Sequence, residues 1–373
     1  MSAADERFMR MAIRLARRGE GIASPNPMVG AVVVKEGHAV GSGWHRGPGT
    51  PHAERVAIQE AGPSCSGAIL YVTLEPCAHQ GRTAPCAPAV IESGVTRVVL
   101  GMQDPDPRVS GRGTALLREA GIEVITDLLA DETRELYEAY VVHRTQGRPF
   151  VIQKSAITLD GKIAAADGTS RWITGEEARR DAHLLRAGCD AVCVGVGSVI
   201  ADDPLLTVRV PHSGNDPIRV VVDSNARTPV GSRMLTAGPP TIIYTTASPD
   251  SERVAKLQRA GAEVIEVAHE SGRVSLKAML DDLARKGIMT LLLEGGATLA
   301  GSFASGGWID KYVFYLAPKL LGDEGLSALA GWTATTITSA KNLVIEAVEM
   351  LGGDLKVIAY PKIETSDLAS GKS

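Results

Sequence analysis

Three residues of types that bind transition metals lie in the N-terminal third of the chain. They are His52, Cys77 and Cys86, and eight residues separate the two cysteines. Imidazole nitrogen and thiolate sulfur are ligands that Zn²⁺ prefers, and three protein ligands leave one tetrahedral position open for water, as a catalytic zinc site requires. The sequence therefore predicts one Zn²⁺ per chain, bound by His52, Cys77 and Cys86.

Glu54 stands two residues after His52 and has a different predicted role. Two residues correspond to about 200° around a regular helix, so its carboxylate should not point directly at the metal. It could instead take a proton from the attacking water and return it to the substrate, as a general acid and base. The order H-x-E, then P-C and a second Cys, is the signature of zinc-dependent base deaminases. Glu54 is the predicted catalytic residue.

Two other interpretations stay open at this point. The chain could be a zinc deaminase that acts on a free nucleoside or a nucleic-acid base and has a non-catalytic C-terminal half. It could also be a binding module whose zinc is purely structural. A structural site needs a fourth ligand, and His79 is the only nearby candidate. His79 and Arg82 lie between the two cysteines, where their donors suit a phosphate or a polar ring edge of a substrate, although a solvated loop is an alternative.

Composition argues against several classes of protein. The chain has 373 residues, of which 44% are hydrophobic, 22% charged and 4% aromatic, and its formal net charge is −4. Few aromatic residues and no basic stripe disfavour nucleic acid as a partner. No apolar run reaches the length of about 18 residues that a membrane span needs, and no secretory signal is recognisable, so we expect a cytoplasmic protein. Five irregularly spaced cysteines do not indicate disulfides.

Predicted strands and helices alternate along the chain. An N-terminal helix with Phe8, Met11, Ala12 and Leu15 on one face precedes a β-hairpin, and an α/β domain follows. A polar segment with Gly147 and Pro149 predicts a boundary between domain 1–146 and domain 147–363, before a polar tail, 364–373, that we expect to be disordered. The second domain predicts a mostly parallel sheet covered by helices, with an antiparallel edge near the C-terminus.

Several longer motifs extend this pattern to nearly the whole chain. In the first half they are SPNPMVGAV from Ser24, His45, HAE from His52, LEPCAHQGRT from Leu74 and QDP from Gln103. In the second half they are LDGKIA from Leu159, WIT from Trp172, LRA from Leu185, ADDPLLTVR from Ala201, EGG from Glu294 and APKLLG from Ala317. Together these motifs resemble the family of bifunctional deaminase/reductases of riboflavin biosynthesis. The resemblance implies a cytidine-deaminase-like three-layer α/β domain followed by a dihydrofolate-reductase-like α/β domain.

The resemblance also implies activities, a cofactor and site residues. The first domain would deaminate 2,5-diamino-6-ribosylamino-4(3H)-pyrimidinone 5′-phosphate, with Asn26 and His45 as substrate contacts, and the second would reduce the ribosyl side chain with NADPH. The implied NADPH residues are Ala156, Trp172, Ser198, Asp202, Ser224, Gly296, Ala297, Thr298, Leu299, Ala300, Gly301 and Ser302. The implied substrate contacts of the reductase are Ser170, Arg186, Leu206, Arg209 and Glu294. The implied partner is a phosphorylated pyrimidine, with no nucleic acid or membrane, and the protein is expected to be a homo-oligomer.

Local chemistry supports the reductase half less directly. No glycine fingerprint of a Rossmann domain is present. A strand that ends in Gly295 and Gly296 before a helix offers free N–H groups to a phosphate, but the same pattern is commonly a plain turn. Asp202 could orient reacting groups or cap a turn, and Arg186, taken alone, indicates an exposed helix residue. Cys189 and Cys193 are predicted core residues, and no function is assigned to Cys65.

Overall fold

The computed structural model describes residues 2–78, 84–107, 109–211, 216–247 and 250–362. The chain divides into two compact units, Met1–Gly147 and Arg148–Ser373. His79, Arg82 and the predicted tail 364–373 lie outside the described residues. Within the described part of the chain, no helix combines the length and apolar character needed to cross a membrane.

A five-stranded sheet forms the centre of the first unit. Its strands are β1 (Gly30–Lys35), β2 (His38–Trp44), β3 (Ile69–Leu74), β4 (Arg97–Met102) and β5 (Glu123–Ile125), in the order β2-β1-β3-β4-β5. β1 is antiparallel to both neighbours, whereas β3, β4 and β5 are parallel. Glu36 and Gly37 join β1 to β2 with φ of 51° and 78°. Two positive φ values fit the turn that matches the twist of a tight hairpin.

Helices cover both faces of this sheet. They are α1 (Ala3–Ala16), α2 (Ala53–Ala61), α3 (Cys86–Glu92), α4 (Arg112–Glu119) and α5 (Ala130–Gln146). On one face, α2, α3 and α4 contribute Ala57, Val90 and Leu117 to a buried cluster with the strands. On the other face, α1 contributes Phe8 and Ala12, and α5 packs near α1 and β4. These three layers are the predicted arrangement.

Two glycines on β2 set the distance to α2. A Cβ atom at Gly41 would lie 2.2 Å from the carbonyl oxygen of Ala57, and one at Gly43 would lie 2.3 Å from that of Ala53. Both distances are far shorter than van der Waals contact, so α2 rests directly on the backbone of β2. Because His52 and Glu54 stand at the start of α2, this contact fixes the position of both residues.

A nine-stranded sheet forms the centre of the second unit. Its strands are β6 (Phe150–Thr158), β8 (Ala191–Gly195), β9 (Ile218–Val222), β10 (Thr241–Thr245), β11 (Glu263–Glu266), β14 (Thr290–Glu294), β15 (Lys311–Ala317), β17 (Leu343–Leu351) and β18 (Asp354–Pro361). The order is β11-β10-β9-β8-β14-β6-β15-β18-β17. All pairs from β11 to β15 are parallel, and β18 and β17 are antiparallel. The predicted parallel sheet with an antiparallel C-terminal edge is confirmed.

Shorter elements complete the second unit. Two small antiparallel pairs join β7 (Lys162–Ala164) to β16 (Leu326–Ser327) and β12 (His269–Glu270) to β13 (Arg273–Val274). The helices are α6 (Glu176–Ala187), α7 (Val196–Asp202), α8 (Arg233–Thr236), α9 (Ser251–Arg259), α10 (Leu276–Arg285) and α11 (Ala297–Ser305). The core contains Met279, Leu283 and Phe303 from α10 and α11. Cys189 and Cys193 are buried, which confirms them as core residues.

Candidate functional site

The three predicted zinc ligands meet at one point of the first unit. His52 is the N-cap of α2, Cys77 follows β3, and Cys86 is the first residue of α3. The Nδ1 atom of His52 lies 3.2 Å from the Sγ atom of Cys86 and 3.6 Å from that of Cys77. Ligand atoms bound to one tetrahedral Zn²⁺ at about 2.0–2.3 Å would lie roughly 3.6 Å apart. The donor set therefore fits zinc in both chemistry and spacing.

The pKa values of the two cysteine thiols are shifted in opposite directions. A hydrogen bond from the Cys86 thiol, with further hydrogen bonds from His52 and the Cys86 backbone N–H, lowers the pKa of Cys77 to about 4. The pKa of Cys86 is raised by its hydrogen bond to Cys77 and by burial. Cys77 is therefore the first of the pair to become a thiolate, which is the form that binds a metal.

Glu54 occupies a different environment from an ordinary surface glutamate. Its side chain belongs to the second residue of α2 and is only 3% exposed. Burial raises the pKa of its carboxyl group. No lysine or arginine in the described ranges lies within ion-pair distance of it. A buried carboxyl group without a cationic partner can exchange a proton at lower cost than one held in an ion pair.

A cavity of about 350 Å³ lies next to the zinc ligands. Its volume falls in the range of small-molecule pockets. Among the predicted site residues, its wall contains Asn26, His45, His52, Glu54 and Cys77. The structure therefore brings both predicted substrate contacts of this half to the same space as the predicted catalytic residue.

Asn26 and His45 also contact each other in the cavity wall. The side-chain amide nitrogen of Asn26 lies 2.9 Å from the Nε2 atom of His45, whose Nδ1 atom lies 3.3 Å from the carbonyl oxygen of Pro51. A carbonyl oxygen can only accept, so Nδ1 carries the hydrogen and Nε2 accepts from Asn26. Burial lowers the pKa of His45. The imidazole is therefore neutral near pH 7.

Four further cavity residues were not assigned a role from the sequence. Glu75 accepts hydrogen bonds from the backbone N–H groups of Asp104, Gly111 and Thr114, at 3.2, 3.0 and 2.9 Å. Burial raises the pKa of Asp104, which accepts from the hydroxyl of Tyr140, to about 6. The motifs LEPC and QDP contain Glu75 and Asp104 and could have indicated them. Tyr140 and Arg144, on α5, belong to no motif.

The second unit contains a buried ionic cluster around Glu294. Arg186 donates from Nε and Nη2 to the two carboxylate oxygens, at 2.7 and 3.0 Å, and Lys154 donates at 3.2 Å. Burial would raise the pKa of Glu294, but these two cations hold it well below its usual value. Arg186 also donates to the carbonyl oxygen of Thr207 at 2.6 Å and is only 8% exposed. The interpretation of Arg186 as an exposed helix residue is therefore wrong.

The remaining predicted reductase residues lie in known positions of the second unit. Their places are Ala156 on β6, Ser170 and Trp172 between β7 and α6, Ser198 and Asp202 on α7, Leu206 and Arg209 after α7, Ser224 after β9, Gly296 before α11, and Ala297, Thr298, Leu299, Ala300, Gly301 and Ser302 on α11. β8, β9 and β14 are parallel, so their carboxyl ends, where open α/β sheets bind ligands, share one edge.

Contacts join several of these residues. A Cβ atom at Gly296 would lie 3.1 Å from the Oγ atom of Ser198. Arg171 lies over the ring of Trp172 and forms an ion pair with Asp202 at 3.7 Å. The Nδ1 atom of His183, whose residue lies on α6, accepts from the backbone N–H of Arg209 at 3.4 Å. In contrast, Ala300 belongs to the hydrophobic core and Ser224 accepts a hydrogen bond from the backbone of Val274 at 3.1 Å.

Two known families match separate parts of the chain. Residues 2–102 match the cytidine and deoxycytidylate deaminase zinc-binding region, and residues 149–356 match the RibD C-terminal domain. Together with the three-layer unit and its zinc ligands, these matches define a bifunctional enzyme, a zinc-dependent deaminase fused to a reductase.

Relatives that span both halves define the family. The chain is 43% identical to the riboflavin biosynthesis protein RibD of Aquifex aeolicus over 354 residues, or 95% of this chain and 97% of the relative. It is 40% identical to RibD of Escherichia coli K12 over 342 residues, which covers 88% and 92%. A solved structure of Acinetobacter baumannii RibD superposes with a TM-score of 0.88 at 36% identity, covering 96% and 99% of the two chains. The chain belongs to the RibD family of riboflavin biosynthesis.

These findings decide between the interpretations left open by the sequence. The predicted cytidine-deaminase-like and dihydrofolate-reductase-like domains are confirmed, as is the bifunctional deaminase/reductase. A non-catalytic C-terminal half and a binding module with purely structural zinc are both excluded. Among the described residues, the metal-binding group has three protein ligands, His52, Cys77 and Cys86.

Proposed function

We propose that the two units act in sequence on one phosphorylated pyrimidine. The first unit replaces the 2-amino group of 2,5-diamino-6-ribosylamino-4(3H)-pyrimidinone 5′-phosphate by oxygen, consuming water and releasing ammonia. The second unit reduces the ribosyl side chain with NADPH and a proton to give 5-amino-6-ribitylamino-uracil 5′-phosphate and NADP⁺. A relative from Thermotoga maritima, 36% identical with a TM-score of 0.85, is described as a diaminohydroxyphosphoribosylaminopyrimidine deaminase/5-amino-6-(5-phosphoribosylamino)uracil reductase.

Deamination rests on one observation, the buried Glu54 in the wall of the cavity beside the zinc ligands. When bound, zinc supplies a water molecule acidified to a pKa of about 7. Glu54 accepts one proton from the attacking water and delivers it to the ring nitrogen; it then accepts the second proton, from the added hydroxyl, and delivers it to the departing amino group. The Asn26 and His45 pair lies in the same wall, and its ring and amide edges orient the pyrimidine. His79 and Arg82 are further proposed contacts.

NADPH supplies the hydride in the second unit. We propose that it lies along the carboxyl ends of β8, β9 and β14, where Ser198, Ser224 and Gly296 are found. Gly296 has a φ of 74°, and the N-terminus of α11 has no side-chain cap, so its free N–H groups suit a diphosphate. A Cβ atom at Gly296 would crowd the Oγ atom of Ser198 at 3.1 Å, and glycine has no side chain to cover its own backbone N–H. Positioning and exclusion of water should dominate this reaction.

The five proposed substrate contacts of the reductase differ in whether their side chains already have partners within the protein. Arg186 already donates to Glu294 and Thr207, so we propose that it holds these groups in place. Arg209 is exposed and has no carboxylate within ion-pair distance in the described ranges. It is the better of the two arginines for the ribose phosphate. Ser170, Leu206 and Glu294 complete the proposed contacts.

Mass analysis of the products tests the proposed function. The diamino pyrimidine phosphate is incubated with zinc-loaded protein, with and without NADPH. Without NADPH, the product should have exchanged one amino group for oxygen. With NADPH, the product should also have gained two hydrogens. Recovery of unchanged pyrimidine in both incubations, despite a full complement of zinc, would refute the proposal.

We propose that the protein forms a homo-oligomer, because the C-terminal edge strand of the second sheet exposes apolar side chains. Leu343, Ile345, Val348 and Met350 on β17 are 38%, 63%, 56% and 64% exposed. A bulge at Glu346 shifts the pairing with β18, so all four side chains lie on one face. A second copy of the chain would bury this apolar face. Val348→Lys should reduce the molar mass measured by light scattering, whereas Val230→Lys, at a residue that is 50% exposed elsewhere, should not.

Nucleic acid and membranes have no part in the proposed function. The cytoplasmic location stays a prediction from the sequence.

A further inference from the structure

The wall of the deaminase cavity contains several acidic residues, although its proposed substrate is a phosphate ester. Glu54, Glu75, Asp104 and Asp106 all contribute to the wall. Among the described residues that line it, Arg144 is the single lysine or arginine. A phosphate group placed beside the carboxyl groups would be repelled, because like charges that face each other across a pocket destabilise a complex. In the described part of the wall, Arg144 is therefore the cation suited to the phosphate, in addition to the proposed contacts His79 and Arg82.

Arg144 is available for an anion. It lies in the last turn of α5, and its guanidinium carbon is 5.1 Å from the centre of the Tyr140 ring. In the described ranges it forms no ion pair, and its Nε atom is buried without a hydrogen-bond partner. Arg186 in the second unit differs, because Glu294 and Thr207 already accept from it. An arginine held by an aromatic ring and free of carboxylates is suited to bind a phosphate.

The direction of the substrate follows from these positions. Tyr140 contacts Arg144 through its ring and donates from its hydroxyl to Asp104 at 3.3 Å. Tyr140 therefore stands between the acidic wall and the cation. With the amino carbon of the pyrimidine at His52 and Glu54, the ribose would extend along Tyr140 and bring the phosphate to α5.

We propose that Arg144 binds the 5′-phosphate of the deaminase substrate and thereby selects the phosphorylated pyrimidine over its nucleoside. The assignment rests on the proposed function of the first unit. Arg144 contributes binding and not proton transfer, so its removal should act on KM and leave kcat nearly unchanged.

Steady-state deamination by the zinc-loaded full chain tests the assignment with two compounds, the diamino pyrimidine ribotide and the same compound after removal of its phosphate. Arg144→Gln should raise KM for the ribotide by about 10- to 100-fold, the range expected for a hydrogen bond to a charged group. KM for the nucleoside should stay within about twofold of its wild-type value. Arg144→Lys should recover part of the affinity, because it keeps the charge and loses the planar pair of donors.

Arg134→Gln is the matched control. Arg134 lies on the same helix, is 70% exposed in its side chain and pairs with Asp131 at 3.2 Å. It should leave both KM values unchanged, and zinc content and NADPH-dependent reduction should report intact protein for every variant.

Three outcomes would overturn the assignment. An unchanged KM for the ribotide in Arg144→Gln would do so. An equal rise in KM for the ribotide and the nucleoside would also do so, because a purely structural role of Arg144 would affect both compounds alike. A wild-type protein that releases ammonia from neither compound would refute the proposed function and this assignment with it. That result is readily distinguished from an active wild type with an unaffected variant.

Discussion

Glu54 in the first unit and Glu294 in the second are both almost fully buried, at 3% and 7% exposure. The pKa of Glu54 is raised by burial. That of Glu294 is lowered, against the effect of burial, by Lys154 and Arg186. Glu54 has no lysine or arginine within ion-pair distance in the described ranges, whereas Glu294 is paired with two such cations. A buried acid outside an ion pair suits proton transfer, whereas a paired one fixes the groups around it.

The same difference separates the two units as a whole. The first unit assembles a metal-binding set and the proposed proton carrier, Glu54, around one cavity. The second unit offers glycine turns, a helix N-terminus and an internal ion cluster, all of which position other groups. This division agrees with the two proposed reactions, because hydrolysis needs protons to be moved and hydride transfer needs two carbons to be held close together.

Replacing Glu54 should give the largest effect on activity. Glu54→Gln should lower kcat for ammonia release by about 10²- to 10⁴-fold, the usual contribution of general acid–base catalysis. Zinc content, the reduction of pre-deaminated substrate and the free energy of unfolding should be unchanged, because the amide fills the same space without an ion pair to lose. Ammonia release, metal analysis, NADPH oxidation and denaturant unfolding measure these four properties. Loss of both activities together would contradict two separate sites.

Replacing Glu294 should instead act on stability. Glu294→Gln leaves Lys154 and Arg186 buried without a counter-charge, and breaking a buried ion pair costs about 3–5 kcal/mol. Denaturant unfolding followed by a probe of the second unit should show this loss. If Glu54→Gln destabilised its unit as much as Glu294→Gln, the contrast between the two carboxyl groups would be wrong.

Arg209→Ala tests the positioning role of the second unit. Loss of a charge-assisted contact to the ribose phosphate should lower kcat/KM for reduction by roughly 10- to 100-fold, with deamination unaffected. NADPH oxidation at varied substrate concentration measures the change. Unaltered reductase kinetics would remove Arg209 from the site.

The smallest expected effect is a difference in pH dependence. In the second unit, burial and the nearby Arg186 and Arg209 lower the pKa of His183 to about 4. The unfolded chain then binds more protons, so this group removes stability as pH falls from about 6.5 to about 4. In the first unit, Asp104, with its pKa raised to about 6, does the opposite and adds stability as pH falls through that value. Each contribution should be about 1 kcal/mol or less after solvent screening.

Variants in which the side chain cannot titrate show how much each of these two groups contributes to the pH dependence of stability. His183→Gln should remove the acid-side loss from the second unit, and Asp104→Asn should remove the acid-side gain from the first. Unfolding free energies measured between pH 4 and pH 7 give both slopes. A slope that is the same in variant and wild type would show that the group does not contribute.

The sequence predicted the elements with strong periodicity and the residues with unusual chemistry. The parallel strands, the hairpin at Glu36 and Gly37, and the zinc ligands all followed from residue types and spacing. α7 and α8 are short, and α9 buries only Leu257, so neither length nor an apolar face indicated them. Such elements form because the neighbouring strands require a connection, which is a tertiary effect.

The ionic cluster could not be predicted, because its members are far apart in the chain. Lys154 and Glu294 are 140 residues apart, and Arg186 and Glu294 are 108 apart. Only the parallel pairing of β14 with β6, on which Lys154 lies, brings two of these residues together. Residue order equally fails to show that Asn26 pairs with His45 and that Arg144 lies over the ring of Tyr140. The resemblance named Asn26, His45, Arg186 and Glu294, but it named neither Lys154 nor Arg144 and gave no account of which residues pair.

Gly41 and Gly43 extend the requirements of catalysis to a strand that carries no catalytic group. Any larger residue there would force α2 outward, and the nitrogen and carboxylate at its first turn would move with it. In a library of randomised sequences selected for ammonia release, both positions should return as glycine, though neither touches metal or substrate. Whether a position of this enzyme tolerates substitution thus depends on how closely α2 packs against β2 as much as on the distance of that position from the reacting groups.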